Sequence, residues 1–313
     1  MNLLNVPSTD FVFAHKTLPV DRLKELQEDI DKLRREGKLS NHKTYRSYLE
    51  NKKFEVPESL PNARSLIVIA YFTKLMLVNF HLNGKKYEVM LSPQYYSSGL
   101  TEEVLSSTIL EKIVKEPGFK IEKANQLHLK LLAVRSGLGR YGRNNLCYVK
   151  GMGSLLKLSA YFTDYQFEEN NWNEIRMMEV CEDCKICMSH CPTKCITKEN
   201  FVIDAGKCLT LYNEIKGVFP GWIYPDAHNA LMGCLKCQLH CPANREVIKS
   251  KGRFEDITEE ETKTILKGTP DGKVLSTLSS KLRNFPPATS KDLFPIFTRN
   301  LRVLLNLKTE QHS

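Results

Sequence analysis

Apolar residues follow two rhythms along the first part of the chain. Over residues 20–39, Leu23, Leu26, Ile30 and Leu33 recur at helical spacing among charged neighbours, which predicts an amphipathic helix. Ser65–Phe72 reads SLIVIAYF, a continuous apolar, β-rich run of the kind that forms a strand covered on both faces. Two further β-rich runs, LMLVNFHL and KKYEVML, are joined by Asn83-Gly84. Asn-Gly suits a two-residue hairpin turn because both positions need positive φ. Residues 101–116 predict a second helix, with Thr101 as its cap, Glu102 and Glu103 in its first turn, and Pro117-Gly118 beyond its end. The helical pattern returns over residues 127–136 and stops at Gly137.

These elements predict an α+β domain over residues 1–175 with a core of its own. Residues 166–180 are polar and read as a connection. A cysteine-rich module follows, in a domain spanning residues 176–250, and residues 251–313 read as a basic, helical C-terminal tail broken at Pro286-Pro287. A hydrophobic fraction of 42% in 313 residues is enough for a sizeable core without disulfide staples. The longest apolar run, residues 66–78, is interrupted by Lys74 and is too short to span a bilayer. The opening residues show no basic stretch followed by an apolar one, so a cytoplasmic protein with no membrane association is expected. Net charge is +9, and residues 273–308 hold seven Lys or Arg against Asp292 alone. Such a strip suits either a phosphate backbone or plain solvent.

Nine of the ten cysteines lie between Cys181 and Cys241. In a reducing compartment, clustered thiols serve metals more often than disulfides. The first run is Cys181-x2-Cys184-x2-Cys187-x3-Cys191-Pro192, and the second is Cys234-x2-Cys237-x3-Cys241-Pro242, with Cys208 between them. Zinc knuckles use paired C-x2-C, which leaves the triple spacing and the Cys-Pro unexplained. The bacterial ferredoxin run explains both: three thiolates wrap one [4Fe–4S] cluster and the fourth turns away to the other. On that crossing rule, Cys181, Cys184, Cys187 and Cys241 hold one cluster, and Cys191, Cys208, Cys234 and Cys237 hold the second. Cys195 and Cys147 are left over and read as small apolar packing residues.

Gly137-Leu138-Gly139-Arg140-Tyr141-Gly142 satisfies G-x-G-x-x-G, but a dinucleotide site needs a strand before and a helix after. Here the order is reversed. The stretch LAVRSGLGRYGRNNLCYVKGMGSLLKLSAYFTD, together with CEDCKICMSHCPTKCI, KCLTLYNEI, GCLKCQLHCPANR and the upstream VPESLPNARSLIVIA, resembles the epoxyqueuosine reductase family. The resemblance covers residues 55–245 apart from the hairpin. It implies an N-terminal α/β corrinoid-binding-like domain, a two-cluster bacterial ferredoxin-like domain, and a short helical tail. It also implies that the clusters reduce a corrinoid (cobalamin), which in turn reduces the epoxide of epoxyqueuosine in tRNA. By the same resemblance Gly137, Gly139, Gly142, Gly153, Ser154, Thr210 and Gly233 would lie near the corrinoid.

The chain departs from the family in three places. The family's proton-donating aspartate would fall near Lys123, where no aspartate stands. Loss of the epoxide oxygen needs an acid, and the candidates are Glu122, Tyr95, Tyr96 and His128. The hairpin is additional, and the helical-repeat extension of longer members is absent. Expected partners are a low-potential donor such as a flavodoxin or ferredoxin, and tRNA. Two other readings fit parts of the sequence: a non-catalytic electron carrier or reductive activator serving a partner enzyme, and a nucleic-acid binder with a structural metal centre. The crossing rule makes a direct prediction. Cys191→Ala should remove the cluster of Cys208, Cys234 and Cys237 although it sits in the first run. Iron counting with electron paramagnetic resonance (EPR) checks this, and loss of the cluster of Cys181, Cys184 and Cys187 instead would refute it.

Overall fold

The computed structural model describes residues 3–5, 11–199 and 201–307. The chain mixes helices and strands and forms two compact units, neither of them continuous in sequence. The first comprises Met1–Phe72, Gly99–Lys185 and Ile196–Gly206; the second comprises Thr73–Ser98, Ile186–Cys195 and Lys207–Ser313. This differs from three consecutive domains cut at residues 175 and 250. The hairpin, the second cysteine run and the C-terminal helices share one unit because they share one core.

The first unit is built on an antiparallel sheet in the order Leu3–Asn5, Val12–Pro19, Ser65–Phe72, Leu156–Thr163, Ile121–Lys123. Ser65–Phe72 lies at its centre, which explains its uninterrupted apolar sequence. Leu66, Val68 and Ala70 face one core with Leu26, Ile30, Leu131 and Leu132. The alternate residues Ile67, Ile69 and Tyr71 face another with Leu105 and Ile109. Period-two alternation thus feeds helices on both faces of one sheet.

The predicted helices form, with shorter bounds. The helix expected over residues 20–39 runs Leu23–Arg35, after a single tight turn at Val20–Arg22. The second runs Glu102–Ile109, with the Thr101 hydroxyl accepting from the Val104 amide at 3.3 Å, and widens into a π turn over Leu110–Val114. The third runs Leu129–Arg135 and closes where Gly137 takes a φ of 73°.

In the second unit, Leu75–Leu82 pairs antiparallel with Lys85–Leu91 and parallel with Lys251–Arg253. Leu82 faces Lys85 across the turn, and Asn83 and Gly84 both hold positive φ, 51° and 67°. The hairpin carries Val78, Phe80 and Val89 into a core with Phe285, Phe294, Phe297 and Leu301. Phe297 meets Phe80, Phe285 and Phe294 at 5.3–6.2 Å between ring centres, within the favourable range for edge and tilted pairs.

The C-terminal basic strip is partly committed inside this unit. Lys281 pairs with Glu261 at 2.8 Å, Arg302 donates to the Leu266 carbonyl at 2.8 Å, and Arg299 donates to the carbonyls of Tyr212, Ile215 and Gly217. Those three cations serve the fold, so the strip is less available to a phosphate backbone than its composition suggests. The turn supplies a test of the fold. Gly84→Val should destabilise the protein by about 1–2 kcal/mol because a β-branched residue resists positive φ, while Gly84→Asn should cost far less. Denaturation midpoints of both variants check the order.

Candidate iron–sulfur site

Cys181 and Cys184 belong to the first unit, and the cysteines from Cys187 to Cys241 to the second. None of the ten cysteines, all of them among the described residues, is in a disulfide.

In the first unit the start of the cysteine run is held by a side chain that sequence reading passed over. Arg143, 4% exposed, follows the glycine segment. Its guanidinium donates to the carbonyls of Cys181, Glu182 and Lys198. A planar fork of fixed donors suits several carbonyls at once, and hydrogen bonds to a charged group are among the stronger kind. The signal available in sequence was the position itself, where the family pattern carries a lysine after the third glycine.

In the second unit, the Cys191 sulfur lies 3.5 Å from that of Cys195, and Cys195 is also hydrogen-bonded to Cys208. Hydrogen bonds from Cys195, then from Thr193, bring the Cys191 thiol down to about 5 against the opposing effect of burial. Cys208 is lowered to about 7, chiefly by the bond to Cys195 and with help from Thr210. Cys195 itself shifts strongly upward, through its hydrogen bonds to Cys191 and Cys208 and through burial. Those shifts favour the thiolate at Cys191 and Cys208, the form that binds iron. Cys234 is raised to about 12 by burial, so metal binding must drive its deprotonation.

A chain of amides fixes the loops that carry Cys208 and Cys234. Asn213, in the short helix Leu209–Glu214 after Cys208, donates to the Gly233 carbonyl at 2.6 Å. Asn300, in Phe294–Leu304, donates to the carbonyls of Asn213 at 2.9 Å and Leu231 at 3.0 Å. Both asparagines are buried, so each bond satisfies a group that water cannot reach.

The four candidate acids occupy different settings. Glu122 accepts from the Ser59 hydroxyl at 2.5 Å on an exposed edge. His128 caps the helix Leu129–Arg135, its Nδ1 accepting from the Leu131 amide at 3.3 Å, and burial lowers it to about 3. A ring that is neutral and occupied as a cap is not set to release a proton. Tyr96 is buried and donates to the Lys74 carbonyl at 2.6 Å. Tyr95 donates to Glu214, and its ring covers Gly233. Burial, then Glu214, raises the Tyr95 phenol, so it keeps its proton beside Cys208 and Cys234; burial raises Glu214, and the bond from Tyr95 opposes that rise.

Four of the glycines that the resemblance places near a corrinoid have their Cβ side filled by the chain itself. A Cβ at Gly137 would meet the Asn173 amide at 2.6 Å, at Gly139 the Cys147 sulfur at 2.5 Å, and at Gly142 the Tyr148 ring at 2.5 Å. At Gly233 it would meet Tyr95 at 2.8 Å. Gly153 lies in a turn accepting from Val149, Ser154 is buried, and Thr210 is bonded to Cys208. In the first unit the packing of Asn173, Cys147 and Tyr148 accounts for glycine at positions 137, 139 and 142. The cysteines, by number and spacing, fit iron–sulfur clusters.

Comparison with known proteins agrees on the cysteines. Residues 180–244 match the family model of a 4Fe-4S double cluster binding domain. The chain is 28% identical over 196 residues to an epoxyqueuosine reductase of Staphylococcus aureus, a match covering 60% of this chain and 50% of that protein. The chain is a relative of the epoxyqueuosine reductases. It spans half the length of that curated relative. The fold is shared with the Bacillus subtilis epoxyqueuosine reductase solved with its catalytic loop swung out, at TM-score 0.64 and 17% identity over 93% of this chain and 77% of that one. It is shared equally with an epoxyqueuosine reductase solved with an epoxyqueuosine-modified tRNA stem loop, at TM-score 0.63 and 19% identity over 93% and 76%.

The thiol geometry leads to a prediction. Cys195→Ala should keep about eight iron atoms per chain, as expected of two four-iron clusters, whereas Cys208→Ala should lose about half. Iron and acid-labile sulfide analysis of anaerobically purified variants checks both, and equal loss in the two would make Cys195 a ligand.

Proposed function

We propose that the protein is an iron–sulfur reductase of the epoxyqueuosine reductase type, acting on an epoxide in modified tRNA. The observation that carries the reading is the bonded thiol group of Cys191, Cys195 and the half-buried Cys208 inside a span that matches a double-cluster domain. Cys181, Cys184, Cys187 and Cys241 are read as ligands of one [4Fe–4S] cluster, and Cys191, Cys208, Cys234 and Cys237 as ligands of the other. Each cluster passes one electron at a time. Conversion of an epoxide to an alkene takes two electrons and two protons; both C–O bonds break and the oxygen leaves as water.

Among the candidate acids, Tyr95 with Glu214 behind it is the best placed, because it holds a proton next to Gly233 and Cys234. Glu122 is half-buried and bonded to the Ser59 hydroxyl, and His128 and Tyr96 are tied to backbone groups. The resemblance adds cobalamin between clusters and substrate. The cysteine pattern carries the electron path as far as the cluster of Cys191, Cys208, Cys234 and Cys237. Absence of a candidate membrane helix among the described residues is compatible with the expected cytoplasmic setting.

The test is turnover of epoxyqueuosine-containing tRNA by anaerobically purified protein under strong reductant, with and without added cobalamin. Formation of queuosine supports the reading. The effect of cobalamin on rate and on its own absorption decides whether a corrinoid takes part. Intact, reducible clusters with no turnover in either arm would contradict it and favour the electron-carrier alternative.

A further inference from the structure

Beside Cys191 the second unit opens a cavity of about 550 Å³. Its walls come from both cysteine runs, through His190 and Lys194 on one side and Lys236 and His240 on the other, and from the loop carrying Trp222 and Tyr224. The two imidazoles stack at 3.8 Å between centres, and the Nδ1 of His190 is occupied by the Ile186 carbonyl at 2.9 Å.

The loop is firmly held yet displays apolar groups. Ile223 and Ala227 bury into a small core with Leu209, and Arg299 bonds the carbonyls of Ile215 and Gly217 at its start. Lys236 bonds the Asp226 carbonyl at 2.7 Å near its end. From this fixed backbone Val218 is 94% exposed, Tyr224 69% and Trp222 45%. Val218 and Tyr224 stand clear of the core, and Trp222 meets Tyr212 edge-on at 5.3 Å between ring centres with much of its ring still exposed. Three such side chains within seven residues of an anchored loop form a patch of the kind that marks a binding surface. Trp and Tyr are the side chains that contribute most at protein interfaces.

We infer that this face is the docking surface for an acidic, one-electron redox protein that feeds the cluster of Cys191. The inference rests on the iron–sulfur reading above and names the partner of that same site. Cys191 lines the cavity, so a partner seated there lies against a cluster ligand, where electron exchange needs closeness. Encounters between redox proteins are small and transient, and a few aromatic residues ringed by charge suit them. The cations favour an acidic partner: Lys194 and Lys236 stand against Asp226 in the lining, on a chain of net charge +9. Both ammonium groups are steadied by carbonyls, Lys194 by that of Ser189 at 3.4 Å. RNA fits less well, because two lysines offset by one acid would neutralise few phosphates, and the exposed Val218 offers no stacking face.

The experiment is anaerobic stopped-flow bleaching of cluster absorption in the iron-loaded full chain, using a reduced acidic flavodoxin and, separately, dithionite. The wild-type rate with flavodoxin should fall as salt rises. Lys194→Glu and the double variant Trp222→Ser with Tyr224→Ser should each slow it by about tenfold, with the dithionite rate changed by less than about twofold. Flavodoxin rates equal to wild type in both variants would overturn the surface while leaving the clusters in place. Competition by a tRNA anticodon stem loop that disappears in the aromatic double variant would reassign the patch to RNA and overturn it too. Failure of dithionite to bleach the wild type would overturn the cluster reading, and the surface with it.

Discussion

Crowding of thiolates is the constraint on which the rest of this structure depends. Sulfurs brought together for iron repel one another as they ionise, and burial raises the cost of each charge. The second unit relieves this with a ninth thiol. Cys195 lies 3.5 Å from Cys191 and is bonded to Cys208, and those contacts lower both ligand thiols. A small apolar residue could fill the same volume but could not donate a hydrogen bond.

The same constraint explains why so much buried polarity lies around the cysteine loops. Loops that carry metal ligands have few backbone partners of their own, and their carbonyls must be satisfied from outside. In the first unit Arg143 does this for Cys181 and Glu182. In the second, Asn213 and Asn300 secure the approaches to Cys208 and Cys234, and Arg299 secures the stretch that follows the helix Leu209–Glu214. A C-terminal segment that looks like a cationic tail is thereby part of the cluster-bearing unit. Its phenylalanines close the core beneath the hairpin, which ties a local turn at Asn83-Gly84 to the stability of distant ligand loops.

Local pattern made some of this legible and left some hidden. Ser65–Phe72 announced itself because a central strand needs apolar residues on both faces, and Asn83-Gly84 because such a pair readily accepts two positive φ values in succession. Helix caps were readable at Thr101 and Gly137 for equally local reasons. Partition into units was not readable, since it depends on which distant apolar faces meet. The glycine segment shows the limit of motif reading: its glycines admit Asn173, Cys147 and Tyr148 from the same chain, a packing need that spacing alone does not distinguish from a cofactor's approach. Cys195 was legible as a residue but not as a hydrogen-bond donor, because its partners are set by the fold. His128 looked available in sequence and proves to be a helix cap.

The central claim is that the cysteines of this chain hold two iron–sulfur clusters that accept electrons one at a time. EPR of the anaerobically purified, dithionite-reduced protein tests it most directly, read alongside metal analysis of the same sample. The account predicts low-temperature signals of two neighbouring reduced [4Fe–4S] clusters, with about one spin for each. Zinc-loaded protein with no such signal, or iron sufficient for one cluster alone, would contradict it.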